Sequence, residues 1–249
     1  MNNSLITHQS LQILYGDQET AFPKNCPKNY ETAQLLTERP FAYFAQSLNL
    51  HGLVMLNQVH STQGLVIKSS EQAASIHPSS IVGDFMVTSI PGIGLGVETA
   101  DCLALTLYDA KNNALGIAHA GWRGSVANIA GAMLNAFYNN YKSSPEDIYA
   151  YLSPAARACC YEVTQNVLDE VHKYNFLDKY PEKSIIKRDT KYFFDKPLFN
   201  KILLQEAGIP EKNIDLSKSL CTIHLQNYCS YRRDGQKALR HLTCAVLKC

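Results

Sequence analysis

The sequence predicts an α+β protein in which a mixed β-sheet core is flanked by helices. Strand-like segments dominate the first half of the chain and helix-like segments the second half. The two types do not alternate regularly, as they would in a doubly wound parallel fold. No repeat, low-complexity tract or Gly/Ser linker divides the 249 residues. We therefore expect a single domain over residues 1–249, of which residues 1–52 are the least informative part.

The strand signals lie mainly between Leu53 and Ala120. "LVMLNQVHSTQGLVIK" alternates and is rich in β-branched residues, which predicts a strand that includes Val59 and His60, a break near Gln63, and a second strand. "GDFMVTSIPGIGLGVETADC" predicts a strand, a Pro-Gly turn and another strand. "CLALTLYDAKNNALGIAHA" predicts a hairpin, and "SLCTIHL", residues 219–225, predicts one further strand.

Helical spacing of apolar residues predicts a long helix over residues 125–141, capped by Gly124 or Ser125. A second helix is predicted over residues 164–176. A third begins after Asp195, a good N-cap, and closes at Gly208. A further helix is predicted to start after Pro40.

Composition restricts the partners. Lys and Arg number 23 against 22 Asp and Glu, a formal charge of +1, so no charge excess attracts a nucleic acid. The N-terminus lacks the features of a signal peptide, and no apolar run approaches the ~20 residues that span a bilayer. We expect a cytoplasmic protein that binds no membrane. Its eight cysteines are then reduced, and most are predicted to be small buried hydrophobic residues.

The predicted hairpin places a cysteine and a histidine together. If Asp109 to Asn112 form the loop, Tyr108 faces Asn113, and pairing outward brings Cys102 opposite His119. Opposed residues on an antiparallel pair have Cβ atoms roughly 4.5–5.5 Å apart and project to one face. A slip of one residue would separate them, so the prediction depends on the loop length.

A thiolate and an imidazole suit zinc or copper rather than calcium or magnesium. Zinc is the simpler choice, with His60 as the third ligand and a fourth position open, as in catalytic zinc sites. Core packing of Cys102 and hydrogen bonding of the histidines remain the plain alternative. Copper is the weaker cofactor prediction, because multi-centre oxidases need more histidines than the eight present.

Several residues are candidates for substrate contact. In "HAGWRG", Arg123 precedes the long helix, whose N-terminus favours an anion such as phosphate. Arg232 and Arg233 in "YCSYRRDG" would point in opposite directions in an extended segment, so one of them would reach the site. Gln58 would share a strand face with His60.

Asp101 has two interpretations. It would either orient a ligand and shuttle a proton, which makes it a catalytic candidate with His60, Cys102 and His119, or cap a neighbouring N–H group. Trp122 would either stack on a flat substrate or pack in the core.

Six motifs in order, "QVHS", "GDFMVT", "TADC", "HAGWRG", "CCYEV" and "CT…SYRRDG", closely resemble the YfiH family, also called the laccase-domain or polyphenol oxidoreductase family and now described as purine nucleoside phosphorylases. The resemblance runs from about Leu53 to the C-terminus. It departs from the family pattern at Ser153-Pro154 and at Leu239-Arg240, and the N-terminal region lacks a motif that many relatives show.

The resemblance implies a zinc ion on His60, Cys102 and His119 in a single-domain fold of YfiH-like topology. It also implies phosphorolysis of adenosine, inosine and methylthioadenosine, with deamination of adenosine. The expected partners are a purine nucleoside and phosphate, and we expect a monomer.

Three alternatives stay open. The first is a peptidoglycan editing factor that hydrolyses a cytoplasmic nucleotide-linked muramyl precursor, as some family members are described. The second is an amidohydrolase with Cys102 as nucleophile, activated by His119. The third is a binding protein in which zinc only fixes the strands, although a structural site normally has a fourth protein ligand.

Overall fold

The computed structural model describes residues 4–24, 26, 32–173 and 184–249. Its strands, in chain order, are β1 Ser4–His8, β2 Leu11–Tyr15, β3 Gly52–Met55, β4 Gly64–Ile67, β5 Phe85–Thr88, β6 Ile93–Thr99, β7 Leu103–Asp109, β8 Ala114–Ala120, β9 Ile148–Leu152, β10 Glu162–Val163, β11 Ile185–Arg188, β12 Lys191–Phe194, β13 Ile214–Asp215 and β14 His241–Leu247. Its α-helices are α1 Thr32–Leu35, α2 Phe41–Leu48, α3 Ser70–Ser75, α4 Trp122–Val126, α5 Ile129–Tyr141, α6 Gln165–Lys173, α7 Lys196–Glu206 and α8 Tyr231–Asp234.

The strands form two large sheets and one small sheet. The first large sheet has the order β1-β2-β14-β6-β3, and the second has the order β13-β9-β7-β8-β5-β4. Both are mixed: β3 runs parallel to β6 in the first, and β4 runs parallel to β5 in the second. The predicted α+β class with mixed sheets is confirmed. β5 and β6, predicted as neighbours across a Pro-Gly turn, are both strands, but they lie in different sheets.

The two large sheets pack face to face. Leu95 and Ile13 of the first sheet share a buried cluster with Ile117 and Leu115 of the second. The outer face of the first sheet is covered by α2 through Phe41 and Phe44, and the outer face of the second by α5 through Met133 and Phe137. Strands buried on both faces explain why β7 and β8 read as continuous apolar runs rather than alternating ones.

The register of the β7–β8 hairpin differs from the prediction by two residues. His119 pairs with Ala104, not with Cys102, which precedes β7. The Asp109 carboxylate accepts the backbone N–H groups of Lys111 and Asn112, and this turn makes Asp109 and Ala114 the innermost pair. Because side chains alternate with a period of two, a slip of two leaves Cys102 and His119 on the same side of the hairpin.

The predicted long helix is broken. It is divided into α4 and α5 at Asn128, which has a left-handed backbone (φ 63°) and caps α5 by accepting the N–H of Gly131. Neither Gly124 nor Ser125 is a cap, since α4 starts after Gly121. The other helix predictions are confirmed. Helix α7 begins after Asp195 and α2 begins after Pro40. Helix α6 covers Gln165–Lys173 of the predicted residues 164–176, of which 174–176 lie outside the described residues.

Two strand predictions are wrong. His60 lies in the loop between β3 and β4, where the chain wraps around a buried carboxylate instead of extending. Residues 219–225 make a single bridge, Ala155 with Cys221, and then turn, with the N–H of Leu225 donating to the carbonyl of Cys221. None of the helices in the described ranges combines the length and apolar character that a membrane crossing requires.

Candidate metal centre

His60 is positioned by Asp84, the residue directly before β5. The backbone N–H groups of Val59, His60 and Ser61 donate to the Asp84 carboxylate at 3.2, 2.9 and 2.6 Å. The Ser61 hydroxyl donates to the same carboxylate at 2.8 Å. This arrangement holds His60 in a left-handed backbone conformation (φ 63°) with its ring at the surface. A buried carboxylate therefore shapes the loop that presents the first candidate ligand.

His119, near the end of β8, is buried and is oriented by the same aspartate. Its Nδ1 atom lies 2.9 Å from Oδ1 of Asp84, so Nε2 is the nitrogen that remains for a ligand. Burial raises the pKa of Asp84, but the hydrogen bonds from His119 and Ser61 outweigh it and lower the pKa to about 2. A carboxylate bonded to the far nitrogen of a ligand histidine is a recurring feature of zinc sites.

Cys102 completes the group from the turn between β6 and β7. Its Sγ atom lies 3.8 Å from Nε2 of His60, and the ligand atoms of His60, Cys102 and His119 all lie within 4.8 Å of one another. Burial opposes ionisation of the thiol, but the neighbouring His119 and Lys196 lower its pKa well below the usual value. The thiolate, which is the metal-binding form, is thus favoured.

The neighbouring Cys102 thiolate also shifts the pKa of His119. Burial lowers the pKa of His119, whereas the Cys102 thiolate and Asp84 raise it, with a net rise to about 9. Because a histidine must be neutral to bind a metal, we expect metal binding here to compete with that proton.

Gly121 leaves the space that the three ligands need. A Cβ atom at Gly121 would lie 2.5 Å from Cδ2 of His60 and 3.2 Å from Sγ of Cys102. The glycine after "HA" therefore matters for contact with the ligands rather than only for the chain turn. Two nitrogens and one sulfur, from two loops and the end of β8, fit a zinc or copper ion. Within the described residues, no fourth His, Cys, Asp or Glu joins the group.

Asp101 is fully engaged beside the ligands. Its carboxylate accepts the hydroxyl of Thr222 at 2.7 Å and the backbone N–H of Arg232 at 2.6 Å. Its carbonyl accepts Nζ of the buried Lys196 at 2.5 Å. Its backbone is left-handed (φ 81°). These contacts match the capping role, and they fix the backbone that leads into Cys102.

Gln58 does not share a strand with His60. Its side-chain amide pairs with the backbone of Glu98 on β6, donating to the carbonyl at 2.8 Å and accepting the N–H at 2.9 Å. It also borders a cavity of about 320 Å³ together with His60, Cys102, Glu98 and Arg240. Gln58 is therefore a bridge to the first sheet that forms part of the cavity wall.

The two adjacent arginines lie on the short helix α8, not on an extended segment, and their environments differ. Arg232 borders a cavity of about 290 Å³ with Cys102, and its Nη1 atom donates to the carbonyl of Glu162 at 2.9 Å. Arg233 points the other way and donates to the carbonyls of Thr222 and Tyr228 at 3.0 and 2.8 Å. Arg232 thus faces the centre, and Arg233 holds the 222–228 loop together.

Arg123 lies within α4, and its guanidinium stacks 4.4 Å from the centre of the Trp122 ring. The long helix α5 begins only at Ile129, so Arg123 lies in the first turn of the separate helix α4 rather than before the long helix, and its predicted anion contact stays a prediction. The exposed Arg123 side chain still borders the 290 Å³ cavity with Arg232 and the buried Lys196. Three cationic side chains therefore surround a space beside His60 and Cys102.

Several residues that form this site have no role in the prediction from sequence. Asp84 was visible within "GDFMVT" and Tyr161 within "CCYEV", but only the tertiary contacts reveal what they touch. Lys196 is buried beneath the Tyr161 ring, 4.5 Å from its centre. Tyr231 borders both cavities. No spacing rule connects these residues to Cys102, because they come from distant loops and helices.

The fold and the site together define a class: an α+β protein of two packed mixed sheets with a His₂Cys group open to adjoining cavities. The family model described as multi-copper polyphenol oxidoreductase laccase matches residues 29–248, and the chain belongs to this family.

Two relatives illustrate the names within the family. A protein of Bacteroides thetaiotaomicron named purine nucleoside phosphorylase is 32% identical over 195 residues, which cover 77% of this chain and 72% of the relative. A protein from an unknown prokaryotic organism, named adenosine deaminase RL5, is 31% identical over 79% of this chain and 75% of its own length.

The crystal structure of the Bacillus licheniformis protein YfiH superposes with a TM-score of 0.78 at 25% identity, covering 96% of this chain and 93% of that one. This neighbour confirms the predicted YfiH-like topology.

Proposed function

We propose that this chain is a zinc-dependent purine nucleoside phosphorylase with adenosine deaminase activity, acting on small molecules in the cytoplasm as a monomer. The names of the relatives support the substrate class. The observation on which the proposal depends is the 290 Å³ cavity, which His60 and Cys102 border together with Arg123, Arg232 and Lys196. Candidate metal ligands and an anion-binding wall therefore share one space.

His60, Cys102 and His119 would hold the zinc ion. The chemistry that zinc supplies when bound is Lewis-acid activation of a water molecule or substrate atom at its open position. Copper fits the same donors, but zinc needs no redox partner for transfer or hydrolysis. Asp84 keeps the His119 ring in the orientation that leaves Nε2 free.

For phosphorolysis, Arg123 and Arg232 would hold inorganic phosphate by charge-assisted hydrogen bonds. A phosphate oxygen then bonds to C1′ of the ribose, the bond between C1′ and the purine nitrogen breaks, and the purine leaves with a proton. The aromatic side chains of Trp122, Tyr161 and Tyr231 border the same cavity and offer faces on which a planar base can stack. Holding both reactants in one cavity lowers the entropic cost of their reaction.

For deamination, water replaces the amino group of adenosine and ammonia leaves, so no phosphate is needed. The second cavity offers polar contacts for the nucleoside: Gln58, Glu98, Thr99 and Arg240 border it beside His60 and Cys102. The two reactions therefore predict different requirements for phosphate at one metal centre. The Asp101 side chain is assigned a positioning role in both, through the backbone of Cys102.

The test is a product assay with a nucleoside panel. The protein is loaded with zinc and incubated with adenosine, inosine and methylthioadenosine, with and without phosphate, and products are identified by mass. Only when phosphate is present do we expect free purine together with ribose 1-phosphate, or with 5-methylthioribose 1-phosphate from methylthioadenosine, and we expect inosine from adenosine in either case. No product from any nucleoside would overturn the proposal and favour the muramyl precursor instead.

A ligand variant separates catalytic from structural zinc. His60 is exposed, so His60→Ala removes a ligand without opening the core. We expect loss of turnover with a melting temperature close to that of the original protein. His51→Ala, another exposed histidine, is the matched control and should keep both turnover and zinc. A large fall in melting temperature together with activity in H60A would instead indicate a structural ion.

A further inference from the structure

A second cluster of metal-binding side chains lies outside the His60–Cys102–His119 centre. The Sγ atoms of Cys159, Cys160 and Cys221 lie within 4.8 Å of one another. All three thiols are free, with Cys159 exposed and the other two partly buried. Most of the eight cysteines were expected to be small buried hydrophobic residues, and this expectation is wrong for the exposed Cys159. Cys229 and Cys244, by contrast, are buried as expected.

Backbone hydrogen bonds fix the positions of the three thiols. The N–H groups of Cys160 and Tyr161 donate to the carbonyl of Arg157 at 3.0 and 2.9 Å, which closes a tight turn around Cys159. On the other loop, the N–H of Thr222 donates to the carbonyl of Ala155 at 3.1 Å, and the N–H of Ala155 donates to the carbonyl of Leu220 at 3.0 Å. These bonds hold Cys221 on both sides against the turn. The cluster is therefore preorganised by two loops that are distant in sequence.

The cluster offers sulfur donors, and its surroundings supply positive charge. The guanidinium of Arg188 reaches the same turn, with Nη1 donating to the carbonyl of Cys159 at 3.4 Å. Three thiols whose sulfurs lie within 4.8 Å of one another present a donor set without oxygen or nitrogen. Soft ions such as zinc and copper(I) prefer such donors, whereas calcium and magnesium do not.

The spacing also matches a single ion. Zinc binds thiolates at about 2.3 Å, so tetrahedral thiolates around it are separated by about 3.8 Å. The three sulfurs are already within 4.8 Å, so small rotamer changes suffice. We propose that Cys159, Cys160 and Cys221 form a second metal site that binds one zinc ion, with water in the fourth position. Binding releases the thiol protons to solvent.

This site is connected to the first centre through short contacts. Thr222, next to Cys221, donates its hydroxyl to Asp101, and the N–H of Ala156 donates to the Asp101 carbonyl at 2.9 Å. Tyr161, next to Cys160, borders the 290 Å³ cavity. An ion at the thiol cluster would therefore brace the loops that position Cys102 and the cavity wall. The assignment does not depend on which reaction the first centre performs.

The test counts zinc ions by native mass spectrometry under reducing, anaerobic conditions. We expect two ions per chain in the original protein, one in His60→Ala/Cys102→Ser, one in Cys159→Ser/Cys221→Ser, and none when all four are replaced. Cys249→Ser, an exposed cysteine outside the cluster, is the control and should keep two. An unchanged zinc count in Cys159→Ser/Cys221→Ser would overturn the proposal.

A second measurement guards against misfolding. In the His60→Ala/Cys102→Ser protein, added cobalt(II) should give thiolate-to-cobalt charge-transfer absorption. The single change Cys159→Ser alters only an exposed side chain and should weaken that binding at least about tenfold, since loss of a ligand costs no less than loss of its supporting contacts. Absence of the absorption in the parent double variant, or a disulfide among the three cysteines in the freshly reduced protein, would also overturn the proposal.

Discussion

The Asp84 carboxylate lies 2.9 Å from Nδ1 of His119 and, through its two oxygens, also accepts the backbone N–H groups of the loop that presents His60. One buried side chain therefore positions two of the three candidate metal ligands.

Asp84→Asn tests this relationship. We expect zinc affinity to fall about 10–100-fold, because an amide neither holds the His119 ring as firmly nor increases its basicity. Competition with a chromogenic chelator measures the affinity directly. Ser61→Ala removes one hydrogen bond to the same carboxylate and leaves the contact with His119 in place, so its affinity should stay close to the original. Equal affinities for D84N and the original protein would show that Asp84 does not support the ligands.

Substitution of Arg232 should affect phosphate binding, whereas substitution of Arg233 should affect stability. Arg232 borders the cavity beside Cys102, so Arg232→Gln is expected to raise KM for phosphate about tenfold, equivalent to about 1.4 kcal/mol, through loss of a charge-assisted contact. KM for the nucleoside should change little. Initial rates at varied phosphate concentration provide the measurement. An unchanged KM for phosphate would remove Arg232 from the proposed anion site.

Arg233→Ala should instead destabilise the fold. Its guanidinium donates to the carbonyls of Thr222 and Tyr228, and leaving such acceptors without a partner costs about 2 kcal/mol. Chemical denaturation should show this loss in the free energy of unfolding, while KM for phosphate in the folded enzyme stays near the original value. If R233A unfolds at the same denaturant concentration as the original protein, the loop is held by other contacts.

His241 makes stability depend on pH. It is buried on β14, bonded to the Thr99 hydroxyl at 2.9 Å, and burial is the main cause that lowers its pKa to about 4, with Arg240 adding to it against Asp101. The unfolded chain takes up the proton near pH 6.5, whereas the folded chain does so only near pH 4. The contribution of neutral His241 to the free energy of unfolding is therefore fully present above pH 6.5 and is lost as the pH falls toward 4. At about 1.4 kcal/mol per pKa unit, the loss is about 3 kcal/mol.

Comparing the unfolding free energy of the original protein with that of a His241 variant isolates this contribution. His241→Gln keeps a donor for Thr99 and does not titrate. The free energy of unfolding of the original protein should fall relative to that of H241Q by about 3 kcal/mol between pH 7 and pH 4. Parallel curves for the two proteins would mean that folding does not lower the pKa of His241.

The break between α4 and α5 depends on Asn128. This residue combines a left-handed backbone with an N-cap bond of 2.9 Å to the N–H of Gly131. Asn128→Ala loses the cap and keeps the backbone strain, so we expect a loss of about 1–2 kcal/mol in unfolding free energy. Asn128→Gly relieves the strain and should cost only a few tenths of a kcal/mol. A smaller loss for alanine than for glycine would contradict this account.

Sequence patterns predicted correctly those features that depend only on residues close together in the chain. The apolar runs of β7 and β8, the N-cap Asp195 and the helix after Pro40 were predicted because each depends on residues close in sequence. His60, Cys102 and His119 were also chosen together, and the structure brings them together. The hairpin argument reached the correct pair with a register wrong by two residues, since alternation preserves the face.

Long-range contacts were decided only in the folded chain. The loop conformation of His60 follows from hydrogen bonds to Asp84, 24 residues away, and the partners of Asp101 come from Thr222 and Lys196, which no spacing connects to it. The thiol cluster likewise forms from Cys159, Cys160 and Cys221 on two separate loops.

The amino-acid sequence thus determined the side chains that can bind a metal, most of the strand and helix segments, and the family to which the motifs belong. Which donors meet, and which arginine faces them, was decided by the packing of two sheets and the loops between them. The physical reason is that periodicity and capping act over a few residues, whereas a metal centre is assembled from buried hydrogen bonds between segments that only the complete fold brings into contact.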